Sequence, residues 1–179
     1  MNLKGIVKPG DLLFDSGTGF ISKAIKRFTF GVTNHVGLIY DSDTIFETDV
    51  KWKKASLHPL ERYNKRSILV MRLKELEDYS KIQELCTQYN GTPYSYWDIL
   101  TNALFSPLKD EIREWLVERI GTKKFMICSE LSARILFEAT NLTELSDYEG
   151  LTPQDLLKIC LFHPTQWEIV YQSPDFQTL

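Results

Sequence analysis

Apolar residues recur with two different periods along this chain, and the periods divide it. In the first part the apolar runs are short and strand-like. Pro9-Gly10 marks a turn, and Asp11 to Phe14 follows as a short strand. Phe20, Ile21, Ala24, Ile25 and Phe28 recur at helical spacing, which predicts a short helix over Gly19 to Arg27. His35 to Tyr40 and Thr44 to Thr48 are β-rich runs flanking Asp41-Ser42-Asp43, the signature of a hairpin with a short polar loop. Ser67 to Leu73 reads as another strand.

Helical spacing dominates the middle. Tyr79 to Tyr89 carries Ile82, Leu85, Cys86 and Tyr89 on one face, and Asn90-Gly91 closes it. Ser106-Pro107 is an N-cap with proline at the first helical position. Leu108, Ile112, Trp115, Leu116 and Ile120 form that helix's buried stripe, and Gly121 ends it. A further helix is predicted from about Cys128 to Ala139, and Thr152-Pro153-Gln154-Asp155 starts the last one with Thr152 as cap. Glu168 to Gln172 is a final strand. Strand-rich and helix-rich parts are segregated, without βαβ alternation. The expected class is therefore α+β, an antiparallel sheet packed against helices.

Composition narrows what such a fold does. The chain has 179 residues and 20.8 kDa, which suits a single domain over 1–179 with a sizeable core. Twenty-one basic against 24 acidic residues leave a net charge of −3, which argues against a broad nucleic-acid or anionic-membrane footprint. The N-terminus lacks the apolar run of a signal peptide, and nothing approaches the roughly 18 apolar residues of a membrane span. The expectation is a cytoplasmic protein with no stable membrane anchor and reduced thiols. Cys86, Cys128 and Cys160 never fall in close pairs, which excludes a disulfide framework and a cysteine-rich zinc site. A single reactive thiol is what this inventory leaves open.

The segment Lys123-Lys124-Phe125-Met126-Ile127-Cys128-Ser129-Glu130-Leu131 carries the strongest chemical signal. Cys128 falls in the first turn of a predicted helix, where unpaired N–H groups and the helix dipole stabilise a thiolate. Position alone does not make it a nucleophile, because free cysteine is among the most buried residue types. Cys86 and Cys160 lie on apolar helix faces and read as core fillers. An imidazole partner is available on the strand His35-Val36-Gly37-Leu38-Ile39-Tyr40. His35, Gly37 and Ile39 share one face, and Gly37 leaves a gap suited to close approach of a helix or ligand. If Tyr40 pairs with Thr44, Leu38 lies opposite Phe46 and Gly37 opposite Glu47. Glu47 is then diagonal to His35 on the same face and within reach of its ring. A slip by one residue sends Glu47 to the other face. Taken singly, His35 also fits a structural strand histidine and Glu47 a solvated acid. His58 and His163, each followed by proline, read as turn or surface residues.

An ordered set of segments carries a family resemblance. Pro9-Gly10-Asp11-Leu12-Leu13-Phe14, Asn34-His35-Val36-Gly37-Leu38-Ile39-Tyr40 and Ile45-Phe46-Glu47 come first. Gly91-Thr92-Pro93-Tyr94-Ser95-Tyr96, then Phe125 to Leu131, then Leu151-Thr152-Pro153-Gln154-Asp155-Leu156 follow. Together they resemble the circularly permuted NlpC-like papain-fold amidases, the YiiX-like group of cysteine peptidases. That resemblance implies a permuted papain-like fold with Cys128 as nucleophile, His35 as general base and Glu47 as the group orienting the base. It also implies that Tyr94 helps shape the substrate or oxyanion site and that the Cys128 backbone N–H is an oxyanion donor. The implied chemistry is acyl transfer through an acyl-enzyme, without metal or organic cofactor.

The leading expectation is an amidase or peptidase acting on a small peptide or amino-acid amide. An acyltransferase or lipid-ester hydrolase is the alternative, since related permuted folds such as lecithin retinol acyltransferase act on lipid esters. A non-catalytic binding module is the third reading, and the presence of Cys128, His35 and Glu47 speaks against it. The predicted helix of Ser106 to Gly121 is expected as a variable insertion, with Trp97 and Trp115 as core or pocket residues.

Overall fold

A computed structural model describes residues 3–19, 22–23, 26–27, 31–49, 53–93 and 127–177. Six strands form one antiparallel sheet: β1 (Leu12–Asp15), β2 (His35–Ile39), β3 (Thr44–Asp49), β4 (Lys54–Pro59), β5 (Ile68–Leu73) and β6 (Trp167–Gln172). Their order across the sheet is β4-β3-β2-β1-β5-β6, so β1 and β2 are central. Helices α1 (Tyr79–Gln88), α2 (Cys128–Thr140) and α3 (Pro153–Phe162) complete the described elements, with single 3-10 turns at Leu60–Tyr63 and Thr143–Leu145. The α+β class and the antiparallel sheet agree with the sequence.

Both faces of the central strands are covered, which explains why β1 is apolar on both sides. Leu12, Phe14, Val36, Leu38 and Phe46 pack with Ile82, Leu131, Ile135 and Leu157 from the helices. Leu13, Ile39, Ile45, Ile68 and Val70 face the other way, under Leu3, Val7, Leu60 and Tyr63. Each fully buried leucine or phenylalanine contributes about 1.5–3 kcal/mol.

The hairpin register is the expected one, with Leu38 opposite Phe46 and Ile39 opposite Ile45. Asp41 closes it as an Asx turn, its Oδ1 accepting from the N–H groups of Asp43 at 2.8 Å and Thr44 at 2.7 Å. The Pro9-Gly10 turn holds Gly10 at φ +88°, a left-handed conformation, with its α-carbon against Leu76.

Helix ends follow local chemistry. Asp78 caps α1 by accepting from the Lys81 N–H at 3.0 Å. Thr152 caps α3 by accepting from the Asp155 N–H at 3.2 Å, with Pro153 in the first turn. Helix α2 ends at Asn141, in the left-handed region at φ 55°.

Two differences stand out. Strand β4 falls where the sequence reads as loop. It is an edge strand in which Ala55 is buried while Leu57 is 43% exposed, so its apolar positions do not report its buried face. Of the predicted helix Gly19 to Arg27, the described residues Ser22, Lys23, Lys26 and Arg27 are helical. The predicted helix of Ser106 to Gly121, together with Trp97 and Trp115, lies outside the described residues.

Candidate active site

His35 opens β2, next to a segment tied down on two sides. The Thr33 hydroxyl donates to the Asp15 carbonyl at 2.9 Å, and the Asn34 N–H donates to the same carbonyl at 3.1 Å. Gln154, fully buried at the start of α3, accepts from the Val32 N–H at 2.7 Å and the Thr33 N–H at 3.4 Å. The strand that presents the imidazole is therefore hung from both β1 and α3.

Glu47 arrives from β3. Its Oε2 lies 2.5 Å from His35 Nε2, and its side chain is 1% exposed. Side chains from the neighbouring strand β3 crowd the gap left by Gly37. A β-carbon there would meet Ile45 Cγ1 at 2.9 Å and Glu47 Cβ at 3.2 Å. Glycine thus lets the β3 side chains lean across β2, which brings the Glu47 carboxylate to the imidazole.

Three further groups complete the surroundings of Glu47 and His35. Arg62 Nη1 donates to Glu47 Oε1 at 2.8 Å, and the Tyr63 hydroxyl donates to Oε2 at 2.5 Å. Asp15 is directly opposite His35 in the β1–β2 register, is buried, and pairs with Arg66 at 2.6 Å. The pattern missed Asp15, Arg62, Tyr63 and Arg66. Asp15 sits one residue beyond the predicted strand, and the two residues after Leu60–Glu61 follow the unrecognised β4. The β1–β2 pairing is the signal that finds Asp15, but it joins segments separated by a turn and a helix.

Cys128 is the first residue of α2 and is 2% exposed. Glu130 accepts from the Ile127 N–H at 2.9 Å through one oxygen and from the Gly150 N–H at 2.7 Å through the other. Ser129 donates to the Leu151 carbonyl. These bonds satisfy part of the helix start and fix it to the segment leading into α3. The thiol lies close enough to the His35 ring to influence its charge. Glu47 engages Nε2 of the ring, so Nδ1 is not used by that bond.

The charges are mutually supporting. Burial acts to lower the His35 pKa, but the Cys128 sulfur and the Glu47 carboxylate outweigh it and hold the ring well above its usual range. Burial acts to raise the Glu47 pKa, yet His35, Tyr63 and Arg62 bring it below the ordinary carboxylate value. Burial raises Tyr63, and Glu47 and Asp15 add to it, so its phenol keeps its proton. Asp15 is raised by burial despite Arg66 and His35.

The other candidates fall elsewhere. Cys86 and Cys160 are buried in the helix-side core, where burial pushes the Cys86 thiol up to about 12 and Cys160 well above its ordinary value. His58 lies on β4, 2.9 Å from the Ser56 hydroxyl, and His163 ends α3 against the Ile159 carbonyl at 2.8 Å. Tyr94 lies outside the described residues. No helix among the described residues is long and apolar enough to cross a membrane.

The antiparallel sheet backed by helices is an α+β fold, with a helix-start thiol beside a strand histidine. Known proteins bear this out at the level of fold. No family model matches the chain. It is 24% identical to the probable lipoprotein peptidase YaeF of Escherichia coli strain K12, over 84% of this chain and 63% of that protein. The chain therefore spans less than two thirds of that relative's length. Among solved structures it is similar to the metalloprotein yiiX of Escherichia coli O157:H7, with a TM-score of 0.54 and 18% identity over 96% of each chain.

Proposed function

We propose that this protein is a cysteine hydrolase of the permuted papain-like type that cleaves an amide bond in a small peptide or amino-acid-containing substrate. The observation that carries the reading is the Cys128 thiol at the start of α2 beside His35, whose Nε2 is held by Glu47. The naming of YaeF as a probable peptidase supports it.

In this mechanism the Cys128 sulfur attacks the substrate carbonyl carbon, and the C=O electron pair moves onto oxygen. The Cys128 N–H, at the positive end of α2, donates to that oxyanion, and the family resemblance implies a part for Tyr94 in shaping the substrate site. His35 passes its proton to the leaving nitrogen as the C–N bond breaks. Water, deprotonated by His35, then attacks the thioester and releases a carboxylic acid and the thiol. Glu47 keeps the ring oriented throughout and favours its charged form.

The structural neighbour is called a metalloprotein, so the donor set here matters. No group of three or more His, Cys, Asp or Glu side chains among the described residues is placed to hold a metal ion. Both Glu47 oxygens already accept hydrogen bonds, one from a guanidinium. These residues do not fit a metal, and no step is routed through one.

The test is labelling with iodoacetamide at mildly acidic pH, read by peptide mass spectrometry. Cys128 is expected to react far faster than Cys86 or Cys160, and His35→Ala to slow it. Equal labelling of the three thiols overturns the nucleophile assignment. Amide and ester substrates compared on purified protein then separate a peptidase from a lipid-ester hydrolase.

A further inference from the structure

Glu47 depends for its aim on donors that come from neither the β2–β3 hairpin nor α2. Tyr63 ends the 3-10 turn after β4, and its hydroxyl donates to Oε2, the same oxygen that meets His35 Nε2. Tyr63 is 1% exposed and belongs, with Leu60, Leu13 and Ile68, to the apolar cluster on the sheet face away from the helices. The Arg62 and Arg66 guanidinium carbons stand 5.9 Å and 5.3 Å from the ring centroid. Arg62 also holds the other Glu47 oxygen, and Arg66 holds Asp15, which faces His35 from β1. Tyr63 thus touches both the Glu47 carboxylate and the two arginines that balance the two buried acids.

We propose that Tyr63 is a positioning residue: its hydroxyl keeps the Glu47 carboxylate ionised and turned toward His35, and so sustains the Cys128–His35 pair into acid. The proposal rests on the thiol reading above. Glu47 has two lone-pair directions at Oε2, and Tyr63 occupies one of them, leaving the other for the ring. A buried carboxylate deprived of a donor protonates more readily. A protonated Glu47 no longer supports an imidazolium, and the thiolate beside it is lost in turn. Among the described residues, the charged and polar groups near Glu47 are His35 from β2, Asp15 from β1 and Arg62 and Tyr63 from the turn, with Arg66 before β5 on Asp15 and Cys128 of α2 beside His35. Their acid limb belongs to the coupled group as a whole.

The experiment is the pH profile of Cys128 alkylation by iodoacetamide in the full chain. Tyr63→Phe keeps the packed ring and removes the donor. Its acid limb is expected about one pH unit higher than that of the wild type. Replacing Tyr63 by 3,5-difluorotyrosine makes the phenol a stronger donor at nearly the same volume, and the limb is expected to move the other way. This second variant decides the matter if the Tyr63→Phe protein fails to fold, as read by circular dichroism. Limbs that stay in place in folded variants, with only the melting temperature changed, overturn the positioning role and leave the thiol reading standing. A wild-type Cys128 that labels no faster than Cys86 overturns both.

Discussion

Replacing Glu47 by glutamine removes one charge and almost no volume, so its effect isolates the charge. The side chain is 1% exposed and takes three contacts, from His35 at 2.5 Å, Arg62 at 2.8 Å and Tyr63 at 2.5 Å. Glutamine keeps one acceptor oxygen and turns the other into a donor. Removing one partner of a buried ion pair costs about 3–5 kcal/mol. Because the amide still accepts and His35 can release its proton, the expected loss lies near 3 kcal/mol at mildly acid pH. In a chain of this size that lowers the melting temperature by about 6–12 °C. The pH dependence tests the cause. Glu47 titrates below its ordinary value of 4.5, so its contribution is complete above 4.5 and is lost as pH falls through the lower folded value. His35 titrates above its ordinary value of 6.5, so its contribution is complete below 6.5 and is lost as pH rises through the raised value. Urea unfolding of both proteins is therefore expected to give a stability difference that is greatest between 4.5 and 6.5 and shrinks on either side. Asp11, paired with Arg72 at 2.7 Å, titrates in both proteins and cancels. A difference that is flat across this range and beyond, or below about 1 kcal/mol, would refute the charged anchor.

Two other substitutions probe how the site is held. Gln154→Leu strips the acceptor from the Val32 and Thr33 N–H groups but also removes a buried Nε2 that has no partner among the described residues, so the net loss is expected at about 1–2 kcal/mol. Amide hydrogen exchange at Val32 and Thr33 is expected to quicken, and unchanged protection there would show that Gln154 is not what holds the segment. Gly37→Ala forces Ile45 and Glu47 away from β2, at a cost of about 1–3 kcal/mol by thermal or urea unfolding, and slows Cys128 labelling. A variant as stable and as reactive as the wild type would mean that the leaning side chains have slack.

The fold was legible where burial and apolar character coincide along a strand or helix. In β1, β2 and β5 nearly every side chain is buried, and the runs announce themselves. In α1 the buried residues Ile82, Leu85 and Cys86 keep helical spacing, and Asp78 supplies the cap. In β4 the two properties part company. Its leucine points to solvent and its alanine is the residue buried, so alternation is present in the structure but absent from the apolar pattern. The β2–β3 register was readable because the observed pairing sets Leu38 opposite Phe46 and gathers them on one apolar face, which a slip of one residue would break.

The site divides along the same line between local and non-local order. His35, Glu47 and Cys128 each have a local mark, a strand face, a hairpin partner or a helix start, and the structure brings the three together. Asp15, Arg62, Tyr63 and Arg66 have none, because the order β4-β3-β2-β1-β5 and the turn after β4 decide where they point. Gly37 shows the limit of local reading. Its space was visible in the sequence, but what fills it depends on the neighbouring strand. The meeting of thiol and imidazole is set the same way. Glu130 and Ser129 tie the start of α2 to Gly150 and Leu151, and Gln154 ties the following turn to Val32 and Thr33 beside His35. Each tie is made through space, so nothing in it depends on His35 preceding Cys128 in the chain. A chain carrying these segments in the opposite order could build the same contact, provided the ties from the helix start to α3 and from α3 to the histidine strand were kept.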